Sequence, residues 1–453
     1  MSKNKKRIMM PGGPKEIDGS KFTVLSGLTA IFEIKEVRIK FLITLFILFI
    51  FRLGSHIPVP GIDISALAQA TNANSRGLMD FIDMFAGGAL RRFTLFTLGI
   101  MPYISAEIIL QLLMSIIPSW KKMSQDDQEK AKDFMQFWSR ALTILLAGVQ
   151  SALFIQYMIQ QNASSQTPFI LIDSIPLFYI VAILAITSGT MFLIWLGDKI
   201  DEYGIGNGAS MIIFAGIISR MPSAFRQLYK TAIERNIFIM IVMLIMFIFI
   251  IILIIYVQRG KRKLMVGGSK AIKGGKISMI PAFPLNIPIN PSGVIPIIFA
   301  SIFLQLPAQI LNPFAAKSAV IRSIIQALYP GTGWYIAINS ILILAFSYFY
   351  SQFQLNPEDI AGYLTKSGRT LKGTRAGGDV ASEIKKTVNR IILPGAIFLA
   401  FIAAIPDIVN KVFNLPSEFS YIMGGTSILI IAGVAFDIAT KLEGIRRFRG
   451  RGQ

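Results

Sequence analysis

The 453-residue sequence contains no cysteine and a single histidine, His56. Without cysteine the chain can form neither a disulfide bond nor a thiolate metal site. One histidine does not make a zinc site, and because His56 lies close to Pro58 and Pro60 we interpret it as a loop residue. We also find no nucleophile with an adjacent base, no metal cluster and no paired carboxylates. The sequence therefore predicts no catalytic residue, no metal and no cofactor.

Charged residues are also scarce, at 15% of the chain, whereas hydrophobic residues make up 53%. A soluble protein of this length would cover its core with more charge, so this composition indicates a polytopic membrane protein. Basic residues outnumber acidic ones by 45 to 25, which gives a net charge of +20. No segment is long enough to form a basic soluble domain of the kind that binds nucleic acid.

Apolar runs that could cross roughly 30 Å of hydrocarbon occur ten times. Their approximate limits are 38–56, 93–117, 138–160, 177–197, 205–220, 236–257, 293–312, 334–352, 390–406 and 419–438. The basic segment 1–37 holds no apolar stretch of the signal-peptide type, so we expect the first span to be retained. Ten spans divide into halves at 38–220 and 221–440, and an odd number in each half predicts that the second half is inverted.

The distribution of lysine and arginine predicts the orientation in the membrane. These residues cluster in segment 1–37, in the even-numbered connections and in the tail 441–453, so both termini are predicted to be cytoplasmic. Four basic residues of the fifth connection depart from this pattern: Arg220, Arg226, Lys230 and Arg235. Two cytoplasmic connections are long, about 258–292 and 353–389. They are either solvated loops or docking surfaces for a large cytoplasmic partner.

The segment from Met84 to Leu113 is unlike a helix that faces lipid. It is interrupted by Gly87 and Gly88, by Gly99, by Pro102, by Glu107 and by Gln111. Broken, partly polar backbone at membrane depth is tolerated only where it faces protein or water, so we predict that this segment lines an internal pathway. Glu107 has two interpretations, a proton or ion site and a polar group that faces an aqueous vestibule or a partner helix. Because no second acid is recognisable at the same depth, we favour the second interpretation.

Five blocks of sequence carry a resemblance to a known family. They are MFAGGALRRFTLFTLGIMPYISAEIILQLL, GTMFLIWLGDKIDEYGIGNGASMIIFAGI, SGVIPIIFAS, LNPEDIAGYLTKSG and MGGTSILI. Matching residues run in this order from about Arg52 to Asp437, and together they resemble the SecY family of bacterial protein-translocation channels. The resemblance implies an all-α membrane protein with ten transmembrane helices in two inverted five-helix halves around an hourglass pore. It also implies a plug helix and a lateral gate that opens to lipid.

The resemblance also implies which residues form the plug and the pore. The plug corresponds to about residues 77–92, and its expected members are Phe81, Met84, Phe85, Gly87, Gly88 and Arg92. The apolar ring at the waist of the pore falls on Ile100, Ile104, Ala209, Ile213, Ile298 and Ile430. Such a ring can seal around an extended chain and resist ion flow by dewetting. Ala209 replaces the bulkier residue that is usual in the family, which predicts a slightly wider ring on that side.

The lateral gate is expected between the helix after Pro102 and the helix in SGVIPIIFASIFLQL. Its polar rim is assigned to Ser105, Gln111 and Gln305. The long cytoplasmic connections match loops that bind the ribosome or the SecA motor, and their candidate docking residues are Arg259, Lys261, Arg262, Lys366 and Arg375. Ala376 follows Arg375 where the family usually has proline, which predicts a less rigid loop.

The same resemblance implies the partners and the location. The expected partners are a SecE-like clamp subunit, a SecG-like subunit, the SecA motor ATPase, the ribosome, signal peptides, unfolded polypeptides and the lipid bilayer. The expected location is the bacterial plasma membrane. Glu107 and the second cytoplasmic connection depart from the family pattern, which leaves open an accessory paralogue for selected substrates. A secondary transporter is an alternative from a different functional class, and it would need convergent polar groups near the membrane midplane. A membrane-embedded enzyme is a third alternative, and it would need a set of catalytic residues that we do not find.

Overall fold

The computed structural model describes residues 34–74, 83, 85–165, 167–234, 237–267, 270–273, 276–279, 283–311, 318–329, 331–366, 371, 380–413 and 425–449. In chain order its helices are α1 (Lys35–Gly54), α2 (Ile64–Asn74), α3 (Met101–Ile116), α4 (Pro118–Asp126), α5 (Gln128–Ser164), α6 (Ile175–Tyr203), α7 (Gly208–Glu234), α8 (Ile237–Arg259), α9 (Ile295–Leu311), α10 (Ala319–Ala327), α11 (Gly333–Gln354), α12 (Pro357–Lys366), α13 (Val380–Phe413) and α14 (Gly425–Arg449). Its strands are β1 (Lys261–Val266), β2 (Lys270–Lys273), β3 (Lys276–Met279) and β4 (Phe283–Pro288). Helices α1, α3, α5 to α9, α11, α13 and α14 overlap the ten predicted spans, which confirms the predicted fold class. The second span differs most, because its helix begins at Met101 and not at residue 93.

Local sequence explains where several helices begin. Asp127 precedes α5, and its carboxylate accepts a hydrogen bond from the Lys130 backbone N–H at 3.1 Å. This bond satisfies a free amide at the helix start and holds the pKa of Asp127 below its usual range. The Thr332 hydroxyl caps α11 in the same way, by accepting the Tyr335 N–H at 3.2 Å. Pro102 lies in the first turn of α3, where no amide proton is needed.

Apolar side chains cover much of the outer surface of the helices. On α8, Phe238, Ile245 and Ile252 are mostly exposed, while Ile250 and Ile254 are fully buried. Some side chains of this helix therefore face the surroundings of the protein and others face its core. Within the described residues, five helical stretches are long and apolar enough to cross a membrane: Glu129–Ala163, Ile175–Tyr203, Gly208–Arg226, Gly333–Lys366 and Val380–Val409. Shorter apolar helices are Met101–Ile116, Leu244–Arg259 and Ile295–Ala308. The chain is therefore a multi-pass membrane protein.

The two halves repeat the same helix neighbours. In the first half α3 packs on α5, α5 on α6, α6 on α7, and α1 on α7. In the second half α9 packs on α11, α11 on α13, α13 on α14, and α8 on α14. Each of these pairs has its counterpart five spans later in the chain. The repeated packing agrees with the two-halved architecture that the count of ten spans predicts.

The halves contact each other along two seams. At one seam α9 contacts α3 and α5, and at the other α7 contacts α8 and α14. The main apolar core extends across both halves, because it includes buried residues from α3 and α7 as well as from α9 and α14. A pathway between the halves would therefore be bounded by α3 and α9 on one side and by α7 and α14 on the other.

The sixth connection contains strands that the sequence analysis did not predict. Strands β1 and β4 pair antiparallel with Lys261 opposite Pro288, and β2 and β3 pair with Lys270 opposite Met279. Val266 at the end of β1 also forms a bridge with Leu371 of the eighth connection. Lysine is depleted in strands, so the lysine-rich sequence of this connection does not predict these antiparallel strand pairs. The pairing partner stabilises these strands, and that partner is not visible in a local pattern.

A second apolar core joins the sixth and eighth connections. It contains Val266 and Ile287 from the ladder, Leu364 from α12, and Ile384 and Val388 from α13, all of them buried. The eighth connection is also more helical than predicted, because α12 lies within it and α13 begins before the apolar run of the ninth span. We call the part formed by β1, β4, α12 and the first turns of α13 the connection unit.

Candidate functional site

Residue 83 and residues 85–93, which we call the turn segment, precede α3 and pack deep between α1 and α7. Phe85 is buried, and Gly87 has a positive φ of 67°. A Cβ at Gly87 would lie 3.1 Å from the Gly216 Cα atom on α7, so glycine suits both the backbone conformation and the close approach. Of the predicted plug residues, Phe85, Gly87, Gly88 and Arg92 lie in this segment, whereas Phe81 and Met84 lie outside the described residues.

A fully buried carboxylate links the turn segment to α7. Asp83 has 0% side-chain exposure, and its Oδ2 atom lies 2.8 Å from Nη2 of Arg220. The Arg91 Nε atom lies 3.7 Å from the same oxygen. The backbone N–H groups of Leu90 and Arg91 donate to Oδ1 at 2.9 Å and 3.3 Å. The carboxylate thus accepts two backbone hydrogen bonds on Oδ1 and faces two arginines on Oδ2, which compensates its buried charge.

A second arginine links the turn segment to α1. Nη1 of Arg52 donates to the Gly87 carbonyl oxygen at 2.9 Å. The Ser219 hydroxyl of α7 lies 3.4 Å from that oxygen and donates more closely to the Gly216 carbonyl at 2.7 Å. The turn segment is therefore held from two helices of the first half by one ion pair, by one charge-assisted hydrogen bond and by close backbone packing.

Sequence reasoning missed Asp83 and the role of Arg220. The available signal was the departure of Arg220 from the charge pattern of its connection, since that position is predicted to be on the sparsely basic side. A basic residue that lies at the end of an apolar span, on the side where few basic residues are expected, indicates an acidic partner nearby. The pairing itself joins residues far apart in sequence, so no local spacing could predict it.

The structure places all six predicted ring residues in the main apolar core or against it. Ile100, Ile104, Ile213, Ile298 and Ile430 are all buried within the main apolar core, and Ala209 is partly buried and packs against it. They come from the start of α3 and from α7, α9 and α14, so both halves contribute. The core extends well beyond these six residues, and it is their origin on four helices from both halves that makes them candidates for a waist.

Two of the predicted gate residues lie on α3 and one lies on α9, and these two helices contact each other between the halves. Ser105 is buried and donates to the Met101 carbonyl oxygen of its own helix at 2.9 Å. Gln111 on α3 has a buried Oε1 atom and Gln305 on α9 has a buried Nε2 atom, and neither atom has a hydrogen-bond partner among the described residues. A buried amide atom without a partner costs free energy, so each of these atoms lowers the stability of the packing around it.

Glu107 lies on α3 with a partner one turn away. The Tyr103 hydroxyl donates to Oε1 of Glu107 at 2.7 Å. Asp198 and Asp201 of α6 are close enough to interact electrostatically with Glu107. Asp198 is paired with Arg140 at 2.8 Å. Within the described residues, no group of three or more His, Cys, Asp or Glu side chains could hold a metal ion.

The predicted docking residues lie on the connection unit or next to it. Arg259 ends α8, Lys261 and Arg262 are exposed on β1, and Lys366 is exposed at the end of α12. Arg375 lies outside the described residues, as does Ala376. The second apolar core holds these exposed basic side chains on one packed base, which a pair of independent loops would not provide.

Two halves that repeat the same helix packing and share one apolar core are an architecture that suits a membrane channel. The sequence model of the SecY family matches residues 94–439. With this match and the relative below, the chain belongs to the SecY family.

Known proteins resemble the chain over most of its length. The protein translocase subunit SecY of Borreliella burgdorferi is 39% identical over 428 residues, which cover 93% of this chain and 95% of that protein. A solved structure of a protein-conducting channel has a TM-score of 0.63 at 20% identity and covers 90% of this chain and 92% of that one. The structure of Sec61 in the canine ribosome–channel complex has a TM-score of 0.61 at 18% identity, with 90% and 92% covered. The two structures share the fold of this chain.

Proposed function

We propose that this chain is the pore-forming subunit of a protein translocase. It conducts unfolded polypeptides across the bacterial plasma membrane and releases apolar segments sideways into the bilayer. The observation that carries the proposal is that ring residues of both halves lie in one apolar cluster, in a chain whose relative is named as a translocase subunit. In this account the turn segment is part of the plug that fills the channel on one side of the waist.

The waist needs no side-chain chemistry for this function. A narrow ring of branched aliphatic side chains excludes water and ions when it is closed, because a small apolar constriction dewets. The same side chains can close around an extended polypeptide of any sequence, since dispersion contacts do not depend on a particular partner. Ala209 offers less volume than the isoleucines beside it, which leaves room on the α7 side of the ring.

The seam between α3 and α9 is the proposed exit to lipid. An apolar signal segment gains free energy by leaving the aqueous pore for hydrocarbon, at roughly 25 cal/mol per Å² of apolar surface. Oε1 of Gln111 and Nε2 of Gln305 are buried without a hydrogen-bond partner among the described residues, and both atoms gain partners when water or a polar chain enters the seam. Both terms favour opening when a substrate is present.

The connection unit is the proposed docking surface for the driving partner. The canine structural neighbour is part of a ribosome complex, and exposed lysine and arginine side chains suit an RNA-rich partner. We further propose, as expectations of the family, the SecA motor ATPase at the same face, SecE-like and SecG-like subunits around the helices, and both termini in the cytoplasm.

A secondary transporter is the competing function, and Glu107 is the feature that favours it. Its carboxylate accepts a hydrogen bond from Tyr103 of the same helix, which also fits a structural role beside the pathway. Concentrative uptake of a small solute by vesicles that hold this chain, without any motor, would favour the transporter over the translocase.

Photocrosslinking tests the proposed pathway. A photoreactive amino acid is placed singly at Ile100, Ile298 or Ile430, and a secretory chain is stalled during translocation. Matched controls carry the probe at Ile245 or Ile252, which are exposed on the outer face of α8. We expect the stalled chain to react with the three waist positions and not with the two outer ones. Reaction at the outer positions alone would contradict the proposed pathway.

A further inference from the structure

The turn segment is held in place by charge as well as by shape. Arg220 on α7 has a side chain that is only 11% exposed, and the fully buried Asp83 is its partner at 2.8 Å. Arg52 on α1 donates to the Gly87 carbonyl oxygen at 2.9 Å. Both arginines belong to long helices of the first half, whereas both of their partners belong to the turn segment.

Displacement of the turn segment would remove both partners at once. Asp83 and the Gly87 carbonyl oxygen would move away together, and Arg52 and Arg220 would remain on α1 and α7. Asp83 would keep Arg91 of its own segment beside it, but Arg220 would lose the carboxylate that pairs with it. Removing one partner of a buried ion pair costs far more than the net value of the pair, because the remaining charge is left uncompensated. An electrostatic contribution to the free energy therefore favours the seated position of the turn segment, in addition to apolar packing.

We propose that the Asp83–Arg220 ion pair sets the threshold at which a substrate opens the channel. Arg52 acts as a positioning residue that holds the Gly87 carbonyl oxygen against α7. A strongly apolar signal segment offsets the loss of the pair by its own transfer into lipid, whereas a weakly apolar one does not. The pair is thus a determinant of substrate selection. This inference rests on the proposed translocase function.

The geometry offers a reporter for the seated position. The Ser219 hydroxyl lies 3.4 Å from the Gly87 carbonyl oxygen, so the turn segment covers part of this half-buried side chain. The sequence contains no cysteine, and S219C therefore introduces a single thiol. The rate at which a membrane-impermeant maleimide labels this thiol in resting vesicles measures how often the turn segment leaves α7.

The variants are chosen to change charge and not volume. In the S219C background, D83N and R220Q each remove one charge of the pair, and D83N keeps the size of the side chain. We expect each to raise the labelling rate about tenfold or more, since an uncompensated buried charge costs several times the free energy of a tenfold change. R220K, which keeps the charge, should label at a rate closer to that of S219C alone. R226Q is the matched control, because Arg226 is an exposed arginine of the same helix.

A double variant separates coupling from general damage. If the two residues act as a pair, D83N with R220Q should label no faster than the faster single variant. Equal effects from R226Q, or independent effects of D83N and R220Q that multiply in the double variant, would contradict the proposal. Labelling at the S219C rate in both single variants would contradict it as well.

Translocation of a precursor with a weakened signal segment measures selection directly. We expect D83N to raise the passage of the weakened precursor relative to that of the intact precursor, and R226Q to leave this ratio unchanged. An unchanged ratio in D83N would overturn the role of the pair in selection. If the unsubstituted chain passes no precursor at all, the proposed function fails, whereas the labelling experiment still reports whether the pair holds the turn segment.

Discussion

Replacement of Gly216 by alanine should weaken the closed state of the channel by a steric effect alone. A Cβ at Gly216 would lie 2.8 Å from the Phe85 carbonyl oxygen and 3.4 Å from the Gly87 backbone nitrogen. The first distance is shorter than real Cβ contacts, and the atom that it meets belongs to backbone that cannot rotate away. The turn segment must therefore shift away from α7.

The size of this effect follows from the cost of overpacking. Added methyl groups in a close-packed site typically cost about 1–3 kcal/mol. Alanine also favours the α7 helix over glycine, but this gain is the same whether the turn segment is seated or displaced and so cancels. About 1.4 kcal/mol corresponds to a factor of ten. The ratio of channels with a seated turn segment to channels with a displaced one should therefore fall by about 5- to 140-fold.

Ion conductance of the reconstituted chain without substrate is the assay. We expect G216A to conduct more often than the unsubstituted chain. The control is G148A on α5, where a Cβ would meet nothing within 4 Å, so the same substitution should leave the conductance unchanged. Equal conductance of G216A, G148A and the unsubstituted chain would refute the reasoning that Gly216 is a contact point of the seal.

Three further predictions concern the waist, the seam and the connection unit. I430N places an amide among the buried residues of the proposed waist and should raise resting ion conductance, whereas the conservative I430V should not. Equal conductance of the two variants would remove Ile430 from the proposed waist. Q305L replaces a buried amide that has an unpaired Nε2 atom and should stabilise the closed seam by about 1–3 kcal/mol. The expected result is slower translocation of a weakly apolar precursor, and unchanged or faster translocation would contradict it. I384A removes a fully buried side chain of the second apolar core and should cost about 2–5 kcal/mol, so that protease cleaves both long connections faster. Faster cleavage of the eighth connection alone would show that the two connections are independent.

The ten spans could be predicted from the sequence because the signal is local. Each span is a run of apolar residues, and a helix satisfies its own backbone hydrogen bonds wherever it lies in a bilayer. The partnership of Glu107 with Tyr103 could also have been found, since residues four apart face each other on a helix. The two-halved architecture followed from the odd number of spans in each half, without any residue-level repeat.

Features made by distant segments could not be predicted in this way. Strands β1 and β4 stabilise each other by pairing across the connection. The lysines of β1 are atypical of strands, so the local sequence does not indicate that this segment is extended. Asp83 and Arg220 meet only because α7 packs against the turn segment, so their pairing depends on the whole fold. The ring residues, five isoleucines and Ala209, are ordinary apolar core residues when each is taken alone. The resemblance to a family selected them from a much larger apolar core.

Translocation in a defined system tests the central claim most directly. Vesicles are prepared with this chain and a SecE-like subunit, and a precursor that bears a signal segment is added with SecA and ATP. We predict that the precursor becomes protected from external protease only when the chain and ATP are both present. Protection that is independent of the chain, or no protection in the complete system, would contradict the account.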